Sequence, residues 1–272
     1  MAATSEVTQT EAVLYEKKDH VAWVIMNRPD AMNAKNDDLV NGVARGMRAA
    51  SEDPDVYVAI LIGEGGRAFS AGNDLRAQTQ RDSAGGAPRQ VRDSFRPYDC
   101  TKPTIAAVDG FALGGGMQWA SQCDIRVATE RSQFGQPEPR WGLAVAALID
   151  TPERYMPWGE ASYLLLTGTR ISAKRAYDVG YVQSVVPDRA ALITEVERIA
   201  NEVKLCAPLS VRLLKRTMRY ELDLPLPPQG QKALEIISGL TKDEREAVGK
   251  SEDRAEGPKA FSEKRPPQWK MR

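Results

Sequence analysis

Histidine and cysteine are scarce in this chain, and their scarcity removes whole classes of chemistry. His20 is the single histidine among 272 residues. A Ser-His-Asp or Cys-His nucleophile would have to use it, and a His-rich metal site cannot be built. It stands between Asp19 and the apolar run Val21 to Met26, where an ordinary strand-edge histidine is expected. Cys100, Cys123 and Cys206 are odd in number, widely separated and without metal-ligand spacing. Reduced cysteines of a cytoplasmic protein are therefore expected, with no metal and no disulfide framework. Charge of one sign is missing too, since 37 basic and 37 acidic residues cancel. Overall charge gives no argument for nucleic acid as a partner, although a local basic cluster can still hold a phosphate. There is no apolar run of about 18 residues, and Glu6, Glu11, Glu16 and Asp19 occupy the stretch where a secretory signal would be apolar. No membrane span, export signal or organelle address is expected. What is present is the ordinary composition of a folded soluble protein, 42% hydrophobic and 27% charged.

The chain is long enough for one core with a small appended module. Residues 1–10 are polar and aperiodic and read as a loose tail. Val13 to Glu16 and Val21 to Met26 are short strands around the charged turn Lys17-Lys18-Asp19, a predicted hairpin. Leu39, Val40, Val43, Met47 and Ala50 recur at helical spacing, with Asn36 or Asp37 as cap. Val56 to Ile62 is continuously apolar, as in a strand buried on both faces, and leads into the turn Gly63 to Gly66. Arg81 to Arg89 reads as a surface loop. Thr104 to Val108 and Asp124 to Ala128 are further strands, separated by a glycine-rich bend over Gly110 to Gly116 and a helix from Met117 to Gln122. Beyond Pro157 the pattern turns helical over Ala161 to Leu166, Ala173 to Val179, Ala190 to Leu205 and Leu209 to Tyr220, with one more strand at Val182 to Val186. No internal repeat of 20–50 residues is visible.

Two segments join a strand, a glycine bend and a helix start: Arg67 to Leu75, and Gly110 to Gln118. Glycines permit positive φ and close approach, and a helix start offers amide donors with a favourable dipole. Two such donors converging on one oxygen make an oxyanion hole. Taken singly, each bend reads more readily as a plain turn or a close helix contact. Neither spells the Gly-x-Gly-x-x-Gly of a dinucleotide site.

Order and surroundings decide between these readings. Asn27-Arg28-Pro29 with Met32-Asn33-Ala34, then Ala68 to Leu75, Lys102 to Val108, Gly110 to Gly116, Cys123-Asp124, Phe134 to Glu138, Leu166-Thr167-Gly168 and Phe261 to Arg265 follow one another along the chain. In this the sequence resembles the crotonase (enoyl-CoA hydratase/isomerase) superfamily. The resemblance implies an α/β crotonase-type spiral of ββα units over 11–205 and a helical carboxy-terminal trimerisation region over 206–272, as a homotrimer or a dimer of trimers. It implies a coenzyme A thioester as substrate, with no separate cofactor. By position, the backbone NH groups of Asn73 and Gly115 are the oxyanion-hole donors; Ala68, Ala71, Asp74 and Leu75 line the adenine site; Arg28, Phe261 and Lys264 contact the CoA nucleotide. For Arg28 and Lys264, a solvated surface charge is the competing reading.

The family's hydratases divide proton transfer between two glutamates. Glu138 matches the second position and is the first choice for catalytic acid/base, whereas the first position holds Gln118. An amide can orient water but cannot take its proton. Two consequences stay open. One carboxylate suffices for an isomerase that moves a double bond from position 3 to position 2, and it can also perform both transfers of hydration while Gln118 positions the water. Hydratase chemistry is placed ahead. A protein that binds CoA esters without chemistry, a decarboxylase and a ring-opening hydrolase stay as alternatives, while the position of His20 argues against a serine peptidase on the related spiral. The segment Gly142 to Asp150 lacks the Pro and Gly-Gly pair common in the family, so Asp150 is either a replacement carboxylate or, preferably, a helix cap. Trp119, Trp141, Tyr155 and Trp158 either shape an acyl pocket or are plain core, the latter being expected.

Overall fold

The computed structural model describes residues 11–74, 77, 94–142, 154–223 and 231–271. The tail over 1–10, the loop over 81–89, Leu75 and Asp150 lie outside the described residues. Strands β1 (Val13–Lys18) and β2 (Val21–Met26) pair antiparallel, from Val13 opposite Met26 to Lys18 opposite Val21. Lys17 and Lys18 thus belong to the strand, and the turn is Asp19-His20, both at positive φ (49° and 64°) as a tight hairpin demands. The charged end of β1 is tolerated because β1 is an edge strand, and Lys17 meets Asp53 at 2.8 Å.

Helix α1 (Asp37–Glu52) begins where the Asn36 side chain accepts a hydrogen bond from Leu39 N at 2.9 Å. Its face of Leu39, Val43, Met47 and Ala50 is buried. The chain then enters β3 (Val58–Gly63), buried at every position because it lies in the middle of a sheet with helices on both sides. Ala59 and Leu61 face the α1 side. Val58, Ile60 and Ile62 face Leu192, Val196 and Ala200 of α5 (Arg189–Lys204).

From β3 to β8, consecutive strands are dealt alternately to two sheets. β4 (Ala68–Ser70) joins a second sheet; β5 (Thr104–Val108) returns to the first and β6 (Phe111–Leu113) to the second; α2 (Gly115–Gln122) follows. β7 (Ile125–Thr129) and β8 (Gln133–Gly135) repeat the step, and β9 (Arg170–Ser172) and β10 (Ser184–Val186) close the two sheets. The first sheet runs β1-β2-β3-β5-β7-β10 and the second β4-β6-β8-β9. The stretch from Gly110 to Gly116 is therefore not one bend. Phe111 to Leu113 is a strand paired with both β4 and β8, and the helix starts at Gly115, ahead of Met117.

Helices α3 (Trp158–Thr167) and α4 (Ala173–Asp178) precede α5, and α6 (Pro208–Asp223), α7 (Gln231–Leu240), α8 (Lys242–Lys250) and α9 (Glu252–Glu263) form the helical end. Trp119 is buried core as expected, but Trp141, the last residue of a short surface helix, and Trp158, the first residue of α3, are largely exposed. Among the described residues no helix is long and apolar enough to cross a membrane.

Candidate active site

The first wall of the site is the chain leaving β4. Asn33, fully buried, organises it: its Oδ1 accepts from Arg28 N at 2.9 Å and its Nδ2 donates to Ala68 O at 2.8 Å and Glu64 O at 3.0 Å. Ser70 Oγ donates to Asn33 O at 2.7 Å, and Ala71 N to Met32 O at 3.0 Å. Lys35 and Asn73 then form a parallel bridge, in which Lys35 N donates to Gly72 O at 2.7 Å and Asp74 N to Lys35 O at 3.3 Å. A parallel pairing uses the groups flanking Asn73, so the Asn73 NH points to the opposite side.

The second wall is the start of α2. Gly114 N donates to Gly135 O at 2.8 Å, and Gly115 is the first helical residue, whose NH has no acceptor within the helix. Gly72 has φ +91°, and a Cβ there would stand 2.7 Å from Leu113 O and 3.3 Å from Gly115 N. The two walls thus pack main chain on main chain, which brings residues 72–73 and 115 together. Among the described residues neither the Asn73 nor the Gly115 NH donates to a main-chain carbonyl in a turn, loop or cap.

Glu138 opens the short helix Glu138–Trp141 between Pro137 and Pro139. Its Oε1 lies 2.5 Å from where a Cβ on Gly114 would be, so the carboxyl rests on the residue that precedes Gly115. Gln136 is fully buried, and with its amide nitrogen turned to Glu138 it donates to Oε2 at 3.1 Å and Oε1 at 3.3 Å. Burial raises the Glu138 pKa above the ordinary carboxylate value; its own main-chain NH and the charge of Lys35 offset part of the rise. Lys35 Nζ lies 3.3 Å from Gly115 O and 4.1 Å from the centroid of the Trp119 ring. Gln118 sits three residues after Gly115 on α2, hence on the same helical face.

The remaining candidates divide into those near this centre and those apart from it. Ala68 is buried in β4, and Ala71 and Asp74 line the run that carries Asn73. Arg28 is not a solvated surface charge: its guanidinium pairs with Asp74 at 3.2 Å and also donates to Ala34 O, so it clamps this run. Phe261, 87% exposed, and Lys264, which ends α9 at φ +53°, have contacts in the carboxy-terminal helices. Both belong to the carboxy-terminal helical end, on a different element from the α2 start that carries Gly115. His20 stacks on Tyr57 at the hairpin turn, with Nδ1 2.8 Å from Asp55 O. A cavity of about 590 Å³ lies against α6 and reaches Cys123, at the opposite end of α2 from Gly115. At 1.5 Å per residue that end is about 12 Å away.

Two residues of the centre were missed by sequence reasoning. Gln136 stands inside the Phe134 to Glu138 run, yet nothing in that run says that it faces the carboxyl. Lys35 directly follows Asn33-Ala34, and a basic residue beside a matched motif was a usable signal.

The alternating deal of strands to two sheets, with main-chain amides at their junction, defines the crotonase class of α/β spiral. The family model described as enoyl-CoA hydratase/isomerase matches residues 16–272. The chain is 35% identical over 271 residues to enoyl-CoA hydratase EchA19 of Mycobacterium tuberculosis, covering 95% of this chain and 96% of that protein. It is 35% identical over 267 residues to crotonyl-CoA hydratase of Syntrophomonas wolfei, covering 94% and 96%. A solved enoyl-CoA hydratase from Mycobacterium tuberculosis H37Rv superposes with a TM-score of 0.83 at 32% identity, covering 97% of this chain and all of that one. The chain belongs to the enoyl-CoA hydratase/isomerase family.

Proposed function

We propose that this protein is a hydro-lyase that adds water to, or removes it from, a 2-enoyl-CoA thioester, with Glu138 as its one acid/base and the Asn73 and Gly115 amides as its oxyanion hole. One observation carries the reading: the Glu138 carboxyl rests on Gly114, next to the Gly115 amide, while Gly72 brings the Asn73 segment to the same place. In the forward direction the Glu138 carboxylate takes a proton from water as the water oxygen bonds to Cβ. The Cα–Cβ π pair moves toward the carbonyl, and the thioester oxygen becomes negative. Two amides meet that charge, and losing one such donor typically costs about 2.7–4 kcal/mol. The protonated Glu138 then gives its proton to Cα as the enolate collapses, so H and OH are both accounted for with one carboxyl. Gln118, on the Gly115 face of α2, orients the water.

Relatives whose names are hydratases favour water addition over double-bond migration. Coenzyme A enters as part of the substrate, and no separate cofactor is needed for the step. Ala68, Ala71, Asp74 and Leu75 are assigned to the adenine side and Arg28, Phe261 and Lys264 to the nucleotide. Arg28 would act there together with Asp74, its partner. The chain is read as a cytoplasmic enzyme and as a homotrimer or a dimer of trimers.

Incubation with 2-enoyl- and 3-enoyl-CoA esters in deuterated water tests the reading. Hydroxyl gain on the 2-enoyl ester is expected. Migration of the 3-enoyl double bond without hydroxyl gain would make the protein an isomerase, and CoA-ester binding without any turnover would make it a binding protein. Glu138→Gln is expected to lower turnover by at least about a hundredfold with the fold retained; full activity in that variant rejects the assignment.

A further inference from the structure

Lys35 touches both halves of the amide pair. Its main chain holds Gly72 and Asp74 on either side of Asn73, and its side chain crosses to α2, where Cδ and Nζ each lie 3.0 Å from where a Cβ on Gly115 would stand. There Nζ donates to Gly115 O at 3.3 Å and covers the buried Trp119 ring. The other groups named at this centre are neutral amides, of Asn73, Gly115, Gln118 and Gln136, the carboxyl of Glu138, and the Arg28–Asp74 pair, whose charges meet each other at 3.2 Å.

We propose that Lys35 is the cationic positioning residue of this reaction centre, tying the Asn73 run to Gly115 and favouring the ionised carboxylate and the enolate over their neutral forms. The proposal rests on the reading of Glu138 as the acid/base. The physical basis is that a fixed ammonium beside a partly dehydrated site acts at a lower effective dielectric than in water. It favours both anions that the reaction passes through.

The surroundings of Glu138 support this. From α2 it meets Gly114 and a helix N-terminus, and from the β8 side the neutral Gln136. Arg140, in its own turn, directs Nε to Thr167 O at 2.8 Å, and Glu160 on the adjoining α3 is paired with Arg175. Lys35 is the charged group whose field is felt at the carboxyl among the described residues, and it acts against the burial that raises the Glu138 pKa.

The test compares Lys35→Met, which keeps an unbranched stem on Trp119 without the charge, with Lys35→Arg, which keeps the charge. The Glu138 carboxyl is titrated by carbon-13 NMR, its signal identified by its loss in Glu138→Gln. In Lys35→Met the carboxyl should titrate about one pH unit higher, a tenfold change in proton affinity. The acid limb of kcat/KM should move up equally, and exchange of the Cα proton should slow at least about tenfold. Lys35→Arg should restore the titration and most of the rate. A titration unmoved in Lys35→Met, or moved with exchange unchanged, overturns the proposal. Should that variant not fold, Lys35→Gln gives the same comparison. The titration needs no substrate, so an inactive wild type would defeat the hydratase reading while the carboxyl still decides the role of Lys35.

Discussion

Gly114 shows how little room the chemistry has at the scale of one residue. It has φ +52°, and an added Cβ would meet Glu138 Oε1 at 2.5 Å. With ψ −125° Gly114 lies outside the left-handed helical region, and a side chain in so sparsely populated a conformation costs about 1–3 kcal/mol, but displacement of the carboxyl is the larger consequence. Gly114→Ala should therefore lose at least about a hundredfold in turnover, far more than its fall in melting temperature suggests; comparing kcat with Tm checks this. Glu138 itself works against stability. Its pKa is raised because burial disfavours the charged form. The ionised group thus lowers stability once pH rises above the ordinary carboxylate value, and the base form needed for catalysis is lost as pH falls through the raised value. Glu138→Gln should melt at or above the wild-type temperature at neutral pH while inactive, and a clear fall in Tm would contradict the sign. Glu138, Gln118, Asn73 and Gly115 could be singled out from the sequence because each stands in a contiguous run of characteristic residues. The Lys35 contact with Gly115 O spans 80 positions, and no local pattern encodes it.

The elements with the strongest periodic or apolar pattern were the most legible. α1 and β3 announce themselves, one by its three-and-four spacing and the other by an unbroken apolar run buried on both faces. The whole second sheet went unseen, since β4, β6, β8 and β9 have three residues each, too few to show alternation. Their register is set by pairing to each other, and that is a property of the assembled spiral. Docking of α6 is likewise a tertiary matter. Asp124 accepts from Thr104 N at 2.8 Å and meets Lys215 and Arg219, each at 2.7 Å. Burial by itself would raise the Asp124 pKa, but the two cations and their hydrogen bonds outweigh it and the pKa is lowered. The stability this adds is present above the ordinary carboxylate range and is lost as pH falls through the lowered value. On acidification, α6 amides should lose hydrogen-exchange protection before those of β3 and β5 do. Asp124→Asn should speed α6 exchange at least about tenfold at neutral pH. Equal loss in α6 and the central sheet would show that this cluster does not hold the helix.

At the scale of the whole molecule, the apolar surface left outside the core lies largely on the later helices. Leu214 and Met218, 61% and 66% exposed, stand one turn apart on α6, beside the cavity that reaches Cys123. Phe261 is turned outward on α9. Such a surface is costly in water, at roughly 25 cal/mol for each Å² of apolar area left uncovered, and its burial between subunits would offset that cost. Asn73, Gly115 and Glu138, the proposed reaction centre, are brought together within one chain, whereas Phe261 stands exposed on α9. Under the proposed trimeric association, contact between subunits should matter more for holding the CoA ester than for the proton transfers themselves. Leu214→Glu combined with Met218→Glu should shift sedimentation toward the monomer and raise KM for the CoA ester, with Cα-proton exchange at saturating ester changed less than about threefold, below 1 kcal/mol by the tenfold-per-1.36 rule. A variant that sediments as the wild type would show that α6 takes no part in the proposed association. A monomer that has lost exchange as well would show that the reaction centre depends on its neighbours, contrary to the self-contained geometry of Gly72, Gly114 and Glu138.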